Sequence, residues 1–184
     1  MALFQTAHLS IAPCTPADRG DFIALELDPD VMHFLNGIAV DHERTDPNAV
    51  DFLMPRGTEP FVWTARLKGS SDFVGWFCLA PGEANSAELG YRLRKQHWKR
   101  GFASEGAKAL VEWGFAKAGY DRIVANTMAV NLGSRRVMEK LGMRHVRTVE
   151  VKSGLMPGSD QGEVWYQMSR AEWGSLREPS DRRV

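Results

Sequence analysis

The chain has 184 residues, of which 43% are hydrophobic, and it carries 23 basic and 23 acidic side chains. This length and apolar content suffice for one domain with a sizeable core, whereas the balanced charge argues against a DNA-binding protein that grips phosphates. The two cysteines are too few for a disulfide framework, and no apolar run approaches the roughly 20 residues of a membrane span, so we expect a cytoplasmic protein with no leader peptide and no membrane contact.

The first third of the sequence predicts one strand and two helices. Leu9 and Ile11 alternate as in a strand that ends at the following prolines. Apolar residues from Phe22 to Leu27 then recur at helical spacing, which indicates an amphipathic helix. A short second helix is expected at 49–53, within a stretch rich in Asp, Pro, Asn and Gly.

From residue 61 onward, the pattern predicts a hairpin followed by alternating strands and helices. The predicted strands fall in the segments 61–79 (both strands of the hairpin), 87–93, 122–127, 143–151 and 163–169. A long helix is predicted at 102–117, and its core face is expected to carry Leu110, Val111, Phe115 and Ala118. Gly119 is expected to end that helix, and another helix is predicted at 131–141. This order indicates a mixed α/β sheet with helices on its faces.

The strongest chemical signal lies in AELGYRLRKQHWKRGFASEGAKALVEWGF, residues 87–115. A predicted strand runs into a basic turn, which passes through Gly101 into the start of a helix whose first N–H groups have no helical partner. Those N–H groups, the helix dipole, Lys99 and Arg100 together favour a pyrophosphate. An ordinary strand–turn–helix with a solvated basic turn is the alternative. The loop lacks the Gly-Lys-Ser/Thr of a nucleotide P-loop and the glycine spacing of a dinucleotide site.

Two motifs resemble those of the GNAT superfamily of N-acetyltransferases. The run Arg100-Gly101-Phe102-Ala103 fits the second half of the family's Gln/Arg-x-x-Gly-x-Gly/Ala loop. Trp98 stands in place of the Gln or Arg, as is usual in the branch that acetylates ribosomal-protein N-termini. The run NLGSRRVMEKLGM, residues 131–143, is similar to that branch's second cofactor helix.

The resemblance implies a single-domain GNAT-like α/β (α+β) fold, with a mixed, mostly antiparallel sheet of about seven strands and helices on both faces. With no repeat or linker along the chain, we expect one domain over 1–184. Its core is expected at about 7–173, and the C-terminal tail, 174–184, is expected to be flexible.

The resemblance also implies acetyl-CoA as co-substrate, with no metal, and transfer to a primary amine by direct attack in a ternary complex. The cofactor-binding residues that it implies are Leu93, Arg94 and Lys95 for the pantetheine arm, Arg100, Gly101, Phe102, Ala103 and Ser104 for the pyrophosphate, and Asn131 and Arg135 (or Arg136) on the second helix. Asn131 is equally explained as a helix N-cap. A solvated helix face accounts for at least one of the two arginines.

Two residues are candidates for catalysis. Glu88 lies on the predicted strand, opposite in direction to Leu89 and Tyr91, and is the candidate general base. An exposed glutamate or a structural ion pair is the alternative for Glu88. Many relatives carry a tyrosine on the second cofactor helix, where this chain has none, and the resemblance to enzymes with a serine at this position assigns Ser134 to the leaving thiolate. Tyr91 and Tyr166 are possible substitutes for that role. A hydrogen bond to the backbone in the first helical turns is the alternative for Ser134.

The identity of the acceptor depends on the cost of neutralising its amine. An α-amine with a pKa near 8 needs about 1 kcal/mol to be neutral at pH 7, whereas a lysine needs about 4–5 kcal/mol, which favours a peptide N-terminus or a small-molecule α-amine. A polyamine or antibiotic acceptor stays open. A polyamine would favour an acidic pocket, for which the cluster of Asp28, Asp30, Asp41, Glu43 and Asp46 is a candidate, although these residues are equally explained as a solvated surface. Two further functions also stay open, a non-catalytic acyl-CoA sensor and a nucleotide-binding protein. We expect a monomer or a homodimer that does not bind DNA.

Overall fold

A computed structural model describes residues 4–35, 50–55, 61–151 and 158–177. Its centre is an eight-stranded sheet in the order β1-β2-β3-β4-β5-β6-β8-β7. The strands are β1 (Phe4–Gln5), β2 (Leu9–Pro13), β3 (Val62–Leu67), β4 (Phe73–Pro81), β5 (Ser86–Leu93), β6 (Arg122–Met128), β7 (Arg144–Val149) and β8 (Glu163–Ser169). Neighbouring strands are antiparallel except β5 and β6, which run parallel.

The described residues contain five α-helices. They are α1 (Arg19–Glu26), α2 (Pro29–Met32), α3 (Phe102–Trp113), α4 (Leu132–Lys140) and α5 (Arg170–Arg177). None of these helices combines the length and the apolar character needed to cross a membrane.

Separate apolar cores cover the two faces of the sheet. On the first, which we call the α3 face, Phe77 of β4 packs in one cluster with Leu110 of α3 and the following Phe115. On the second, the α1 face, Phe22 of α1 and Trp76 of β4 belong to a different cluster. The expected mixed sheet with helices on both faces is therefore confirmed, with eight strands instead of about seven.

The end of α3 differs from its prediction. The α-helix stops at Trp113 and continues as a π-helical turn over Gly114–Ala118. A π turn takes an extra residue, so the residues after it no longer follow the 3.6-residue stripe. Ala118 is consequently exposed, and its expected place on the core face was wrong. Gly119 closes the segment with a φ of 83°, as expected of a helix C-cap.

Three further differences concern short elements. The helix expected at 49–53 is a single 3-10 turn, Asp51–Leu53, and residue 49 lies outside the described part. Strand β1 was not predicted, because two residues are too few to show the alternation of apolar and polar residues that marks a strand. Helix α5 was not predicted either, although Ser169 and Glu172 have the spacing of a capping box. Residues 174–177 of the expected flexible tail belong to this helix, and residues 178–184 lie outside the described part.

Candidate active site

The site begins where the two parallel strands separate. β5 and β6 pair only over residues 86–88 and 122–124. Both strands then continue, to Leu93 and to Met128, and no other described strand pairs with the edges that face each other there. We call the space between residues 89–93 of β5 and 125–128 of β6 the β5–β6 gap. An open strand edge inside a sheet leaves backbone hydrogen-bonding groups for a ligand.

Alternate residues of β5 turn their backbone groups into the β5–β6 gap. The N–H of Arg94, just after the strand, donates to β4 at 2.9 Å. Because backbone groups alternate along a strand, Leu89, Tyr91 and Leu93 present theirs to the opposite side, which is the gap. The gap is thus lined on one side by a regular strand edge.

The three residues that the resemblance assigns to pantetheine lie at the downstream end of this edge. The Leu93 carbonyl already accepts a hydrogen bond from Trp98 Nε1 at 2.8 Å. The Arg94 N–H is used by β4, and Lys95 Nζ forms an ion pair with Asp30 at 2.6 Å. The edge retains for a ligand the Leu89 carbonyl, the N–H and carbonyl of Tyr91 and the N–H of Leu93, mostly upstream of the predicted position, because the Leu89 N–H is used by the last pair of the β5–β6 ladder.

The start of α3 has the form of an anion site. Gly101 is its N-cap residue, with a φ of 85°, and no side chain caps the helix. The N–H groups of Phe102, Ala103 and Ser104 are those that an α-helix cannot satisfy internally. Phe102 is buried in the α3-face core and fixes the first turn, whereas Gly101 is exposed. The predicted pyrophosphate residues are thus brought together at one exposed helix terminus.

The acidic side chain of this first turn is directed away from the helix start. Glu105 accepts hydrogen bonds from the Thr6 hydroxyl and from the His8 N–H, and its second oxygen lies 2.9 Å from His8 Nδ1. Burial raises the pKa of Glu105, but these hydrogen bonds outweigh it and lower the pKa overall. Arg100 places its guanidinium 4.7 Å from the centre of the Phe102 ring, beside the helix start. A negative ligand would therefore meet cationic and N–H groups first.

The start of α4 lies across the β5–β6 gap. Asn131 is its N-cap and accepts from the Ser134 N–H at 3.2 Å. The Asn131 amide also donates to Thr127 Oγ1 at 3.1 Å. This side chain therefore caps α4, a role that is compatible with the predicted contact to the cofactor.

The two arginines of α4 have different surroundings. Arg135 donates to the Ala129 carbonyl at 3.0 Å and to the Tyr166 hydroxyl at 3.3 Å, and the Tyr166 contact raises its pKa. Arg136 is exposed. Arg135 is thus occupied within the fold, which makes Arg136 the better candidate for a phosphate.

Ser134 and Tyr91 meet on the α3 face of the gap. The Tyr91 hydroxyl lies 2.9 Å from Ser134 Oγ and 3.1 Å from the Ser134 carbonyl oxygen. Burial raises the pKa of Tyr91 to about 12, with the Ser134 hydrogen bond acting against it. The predicted serine and one of its two possible substitutes therefore form one hydrogen-bonded pair.

Glu88 lies at the closed end of the gap, on the α1 face. It is exposed, and one of its carboxylate oxygens accepts from Asn126 Nδ2 at 3.1 Å. Gly90 is on the same face, and a Cβ added to it would lie 2.7 Å from Cys78 Sγ. Gly90 and Cys78 thus form a shallow floor next to the carboxylate. Sequence reasoning missed Asn126, although an asparagine inside a strand is unusual and invites a search for its partner.

A buried ion pair lies farther along β5, on the same α1 face as Glu88 and Gly90. Arg92 Nη1 donates to Glu26 Oε1 at 2.7 Å, and their side chains are only 12% and 5% exposed. The Arg92 guanidinium also lies 5.1 Å from the centre of the Trp76 ring. This pair ties the end of α1 to β5 and was not predicted, although a charged residue on a half-buried strand requires a partner.

His97 has the surroundings of a packing residue. His97 is buried, and burial together with Arg100 and Arg94 lowers its pKa, which suits a neutral packing residue. The described residues contain no group of three or more His, Cys, Asp or Glu side chains placed to hold a metal ion.

The fold closely matches solved acetyltransferases. A GNAT-family acetyltransferase from Bacillus anthracis superposes with a TM-score of 0.78 at 24% identity, covering 92% of this chain and 99% of that one. The spermidine N-acetyltransferase of Vibrio cholerae, solved with CoA and spermine, superposes with a TM-score of 0.75 at 13% identity, covering 90% of this chain and 97% of that one. At these identities the likeness establishes the fold alone.

Sequence comparison extends the match beyond the fold. The FsC-acetyl coenzyme A-N(2)-transacetylase of Aspergillus fumigatus is 31% identical over 192 residues, covering 96% of this chain and 80% of that protein. The family model described as acetyltransferase (GNAT) domain matches residues 8–144. This chain belongs to the GNAT family of acetyltransferases.

Proposed function

We propose that this acetyltransferase moves an acetyl group from acetyl-CoA to a primary amine by direct attack within a ternary complex. The observation that carries the proposal is the β5–β6 gap, which opens beside the uncapped start of α3. An extended pantetheine arm would pair with the free edge of β5 as an added strand does. The pyrophosphate would meet the N–H groups of Phe102, Ala103 and Ser104.

The geometry of the gap gives the acyl donor a direction. The start of α3 follows the carboxyl end of β5, so phosphates held there lie at the open end of the gap. The pantetheine arm would then run back along β5 toward residue 88, where the strands close. The thioester would thus arrive between Glu88 on the α1 face and the Tyr91–Ser134 pair on the α3 face.

We assign Glu88 as the general base. Its hydrogen bond with Asn126 holds one carboxylate oxygen and so fixes the direction of the other. An ammonium that approached over the floor of Gly90 could give its proton to Glu88 directly or through one water. The α1 face is therefore the proposed acceptor side, and the α3 face holds the acyl donor.

The proposed acceptor is an α-amine, either of a peptide N-terminus or of a small molecule. Making such an amine neutral at pH 7 costs about 1 kcal/mol, which a single exposed carboxylate such as Glu88 can manage, whereas a lysine costs about 4–5 kcal/mol. The Aspergillus fumigatus relative is named for transfer to an N(2) nitrogen, which supports a nitrogen acceptor. Membership of the branch that acetylates ribosomal-protein N-termini is part of this proposal.

A polyamine acceptor has less support from the acidic cluster. Asp28 accepts the Asp30 N–H at 2.9 Å as the cap of α2, and Asp30 is paired with Lys95. The remaining acidic residues of the predicted cluster, Asp41, Glu43 and Asp46, lie outside the described residues. The described members of the cluster are thus already used within the fold.

An acceptor panel tests the proposal. Amino-acid amides and short peptides with free α-amines would be compared with Nα-acetyl-lysine, spermine and an aminoglycoside, each supplied with acetyl-CoA. We expect release of free thiol and a mass gain of one acetyl group with α-amines. Preferential modification of Nα-acetyl-lysine or spermine would contradict the acceptor assignment, and no thiol release with any amine would contradict the function.

A further inference from the structure

Two hydroxyl groups that are far apart in the sequence meet beside the β5–β6 gap. Tyr91 projects from the free half of β5, and Ser134 lies in the first turn of α4. Their oxygens are 2.9 Å apart, and the Tyr91 oxygen is 3.1 Å from the Ser134 carbonyl. The Ser134 N–H is fixed separately by Asn131. The serine is therefore held from both its backbone and its side chain.

The single phenolic proton of Tyr91 has two acceptors within reach, and the choice between them decides where the serine proton points. When Tyr91 donates to the Ser134 carbonyl, its own oxygen can accept from Ser134 Oγ–H. The serine O–H then points at the phenol oxygen. When Tyr91 donates to Ser134 Oγ, the serine proton is released to point elsewhere. Rotation about one C–O bond of Tyr91 switches between the two arrangements.

Tyr91 is suited to be a donor and unsuited to be a base. Its ring packs beside Phe77 in the α3-face core, with 6.2 Å between the ring centres. Burial raises the pKa of its hydroxyl to about 12, so the phenol keeps its proton at any ordinary working pH. A buried phenol of this kind gives direction to a hydrogen bond without taking up charge.

We propose that Tyr91 is a positioning residue, whose hydroxyl donates to Ser134 Oγ and thereby turns the Ser134 proton toward the sulfur of the departing coenzyme A. This inference rests on the proposed function. As the amine nitrogen bonds to the acetyl carbon, the C–S bond breaks and its electron pair stays on sulfur. Glu88, which has passed the ammonium proton on to water, takes the second proton from that nitrogen. The Ser134 O–H then donates a hydrogen bond to the thiolate.

Neither hydroxyl gives up its proton in this step. An ordinary thiol has a pKa near 8.5, far below the pKa of about 12 for Tyr91 and that of any serine, so a full proton transfer to sulfur would run uphill. The thiolate takes its proton from water as coenzyme A leaves. The pair stabilises charge on sulfur, and the tyrosine makes the serine available for it.

The test is an equilibrium titration of the bound coenzyme A thiol, followed by its thiolate ultraviolet absorbance, which needs no acceptor. We expect the wild-type protein to hold the thiol pKa below that of free coenzyme A. Tyr91→Phe and Ser134→Ala should each raise this pKa by about one unit, because one hydrogen bond to the charged sulfur is lost or misdirected. The double variant should show no further rise.

Kinetics provide a second measurement with a matched control. Tyr91→Phe should lower kcat about tenfold and leave the KM for acetyl-CoA within about twofold, since its ring stays in place. Tyr120→Phe removes a hydroxyl near the opposite end of α3 and should leave both constants unchanged.

The possible failures can be told apart. A bound thiol pKa that is the same in wild type and Tyr91→Phe would overturn this inference alone. A rise in Tyr91→Phe without one in Ser134→Ala would also overturn it, because the tyrosine would then act without the serine. Failure of wild-type protein to bind coenzyme A would overturn the proposed function as well.

Discussion

The anion site at the start of α3 is tested most sharply by comparing Gly101→Glu with Gly101→Gln. A Cβ added at Gly101 meets no atom within 4 Å, so either side chain has room. Because the φ of Gly101 is 85°, both variants carry the same left-handed backbone cost of about 1–2 kcal/mol. The two proteins therefore differ only in one negative charge.

The expected effect of that charge can be worked out. A carboxylate about 5 Å from a phosphate charge, at an effective dielectric constant of about 20, is repelled by about 3 kcal/mol. This predicts a Kd for coenzyme A more than about 100-fold higher in Gly101→Glu than in Gly101→Gln. Without ligand, Gly101→Glu should be the more stable of the two variants, because a carboxylate at a helix N-terminus stabilises the fold by about 0.3–1 kcal/mol.

Calorimetric titration with coenzyme A at low and high salt, together with thermal unfolding of the free proteins, measures both effects. The affinity difference between the variants should shrink at high salt, since the repulsion is between partly exposed charges. Equal affinities for Gly101→Glu and Gly101→Gln would refute the reasoning, because the start of α3 would then not face the pyrophosphate.

Three other substitutions test separate parts of the molecule. Glu88→Gln should lower kcat and alter the pH–rate profile while leaving the coenzyme A affinity intact; an unchanged profile would exclude Glu88 as the base. Gly90→Ala should raise the acceptor KM and cost about 1–3 kcal/mol of stability, because its methyl group crowds Cys78. Adding Cys78→Ala should restore the KM and the stability, and a lack of rescue would contradict the proposed floor of Gly90 and Cys78. Hydrogen bonds, first of all from the Ser169 N–H, lower the pKa of Glu172 from 4.5 to about 2, so its stabilising effect is present above pH 4.5 and is lost as the pH falls through 2. Urea unfolding should show that the free energy of unfolding falls with pH in this range in the wild type and not in Glu172→Gln. The same pH dependence of that free energy in both proteins would contradict this role of Glu172.

The order of the elements could be predicted from the sequence because local patterns determine it. The hairpin of β3 and β4 follows from alternating apolar residues, and the start of α4 follows from the capping preference of Asn131. Gly119 was recognised as a helix end because few other residues tolerate its left-handed backbone. The basic turn before Gly101 similarly marked the anion site, since its residues are consecutive.

The rest of the site depends on contacts between distant parts of the chain. The β5–β6 gap exists because two strands pair over three residues and then separate, and no local pattern encodes where separation begins. The pairing of Tyr91 with Ser134 joins residues 43 positions apart, so the sequence presented them as rival candidates rather than partners. The exposure of Ala118 follows from one π-helical turn that helical periodicity does not anticipate.

The short ladder between β5 and β6 also bears on how long the protein survives in a cell. Within the sheet, the half formed by β1–β5 is joined to the half formed by β6–β8 through three residue pairs. A ligand that fills the gap would bridge the halves and would add about 2.7 kcal/mol to the folding free energy at a concentration of 100 times its Kd. Depletion of the acyl donor would then shorten the lifetime of the enzyme as well as slow its turnover, which makes the metabolic state a determinant of its abundance.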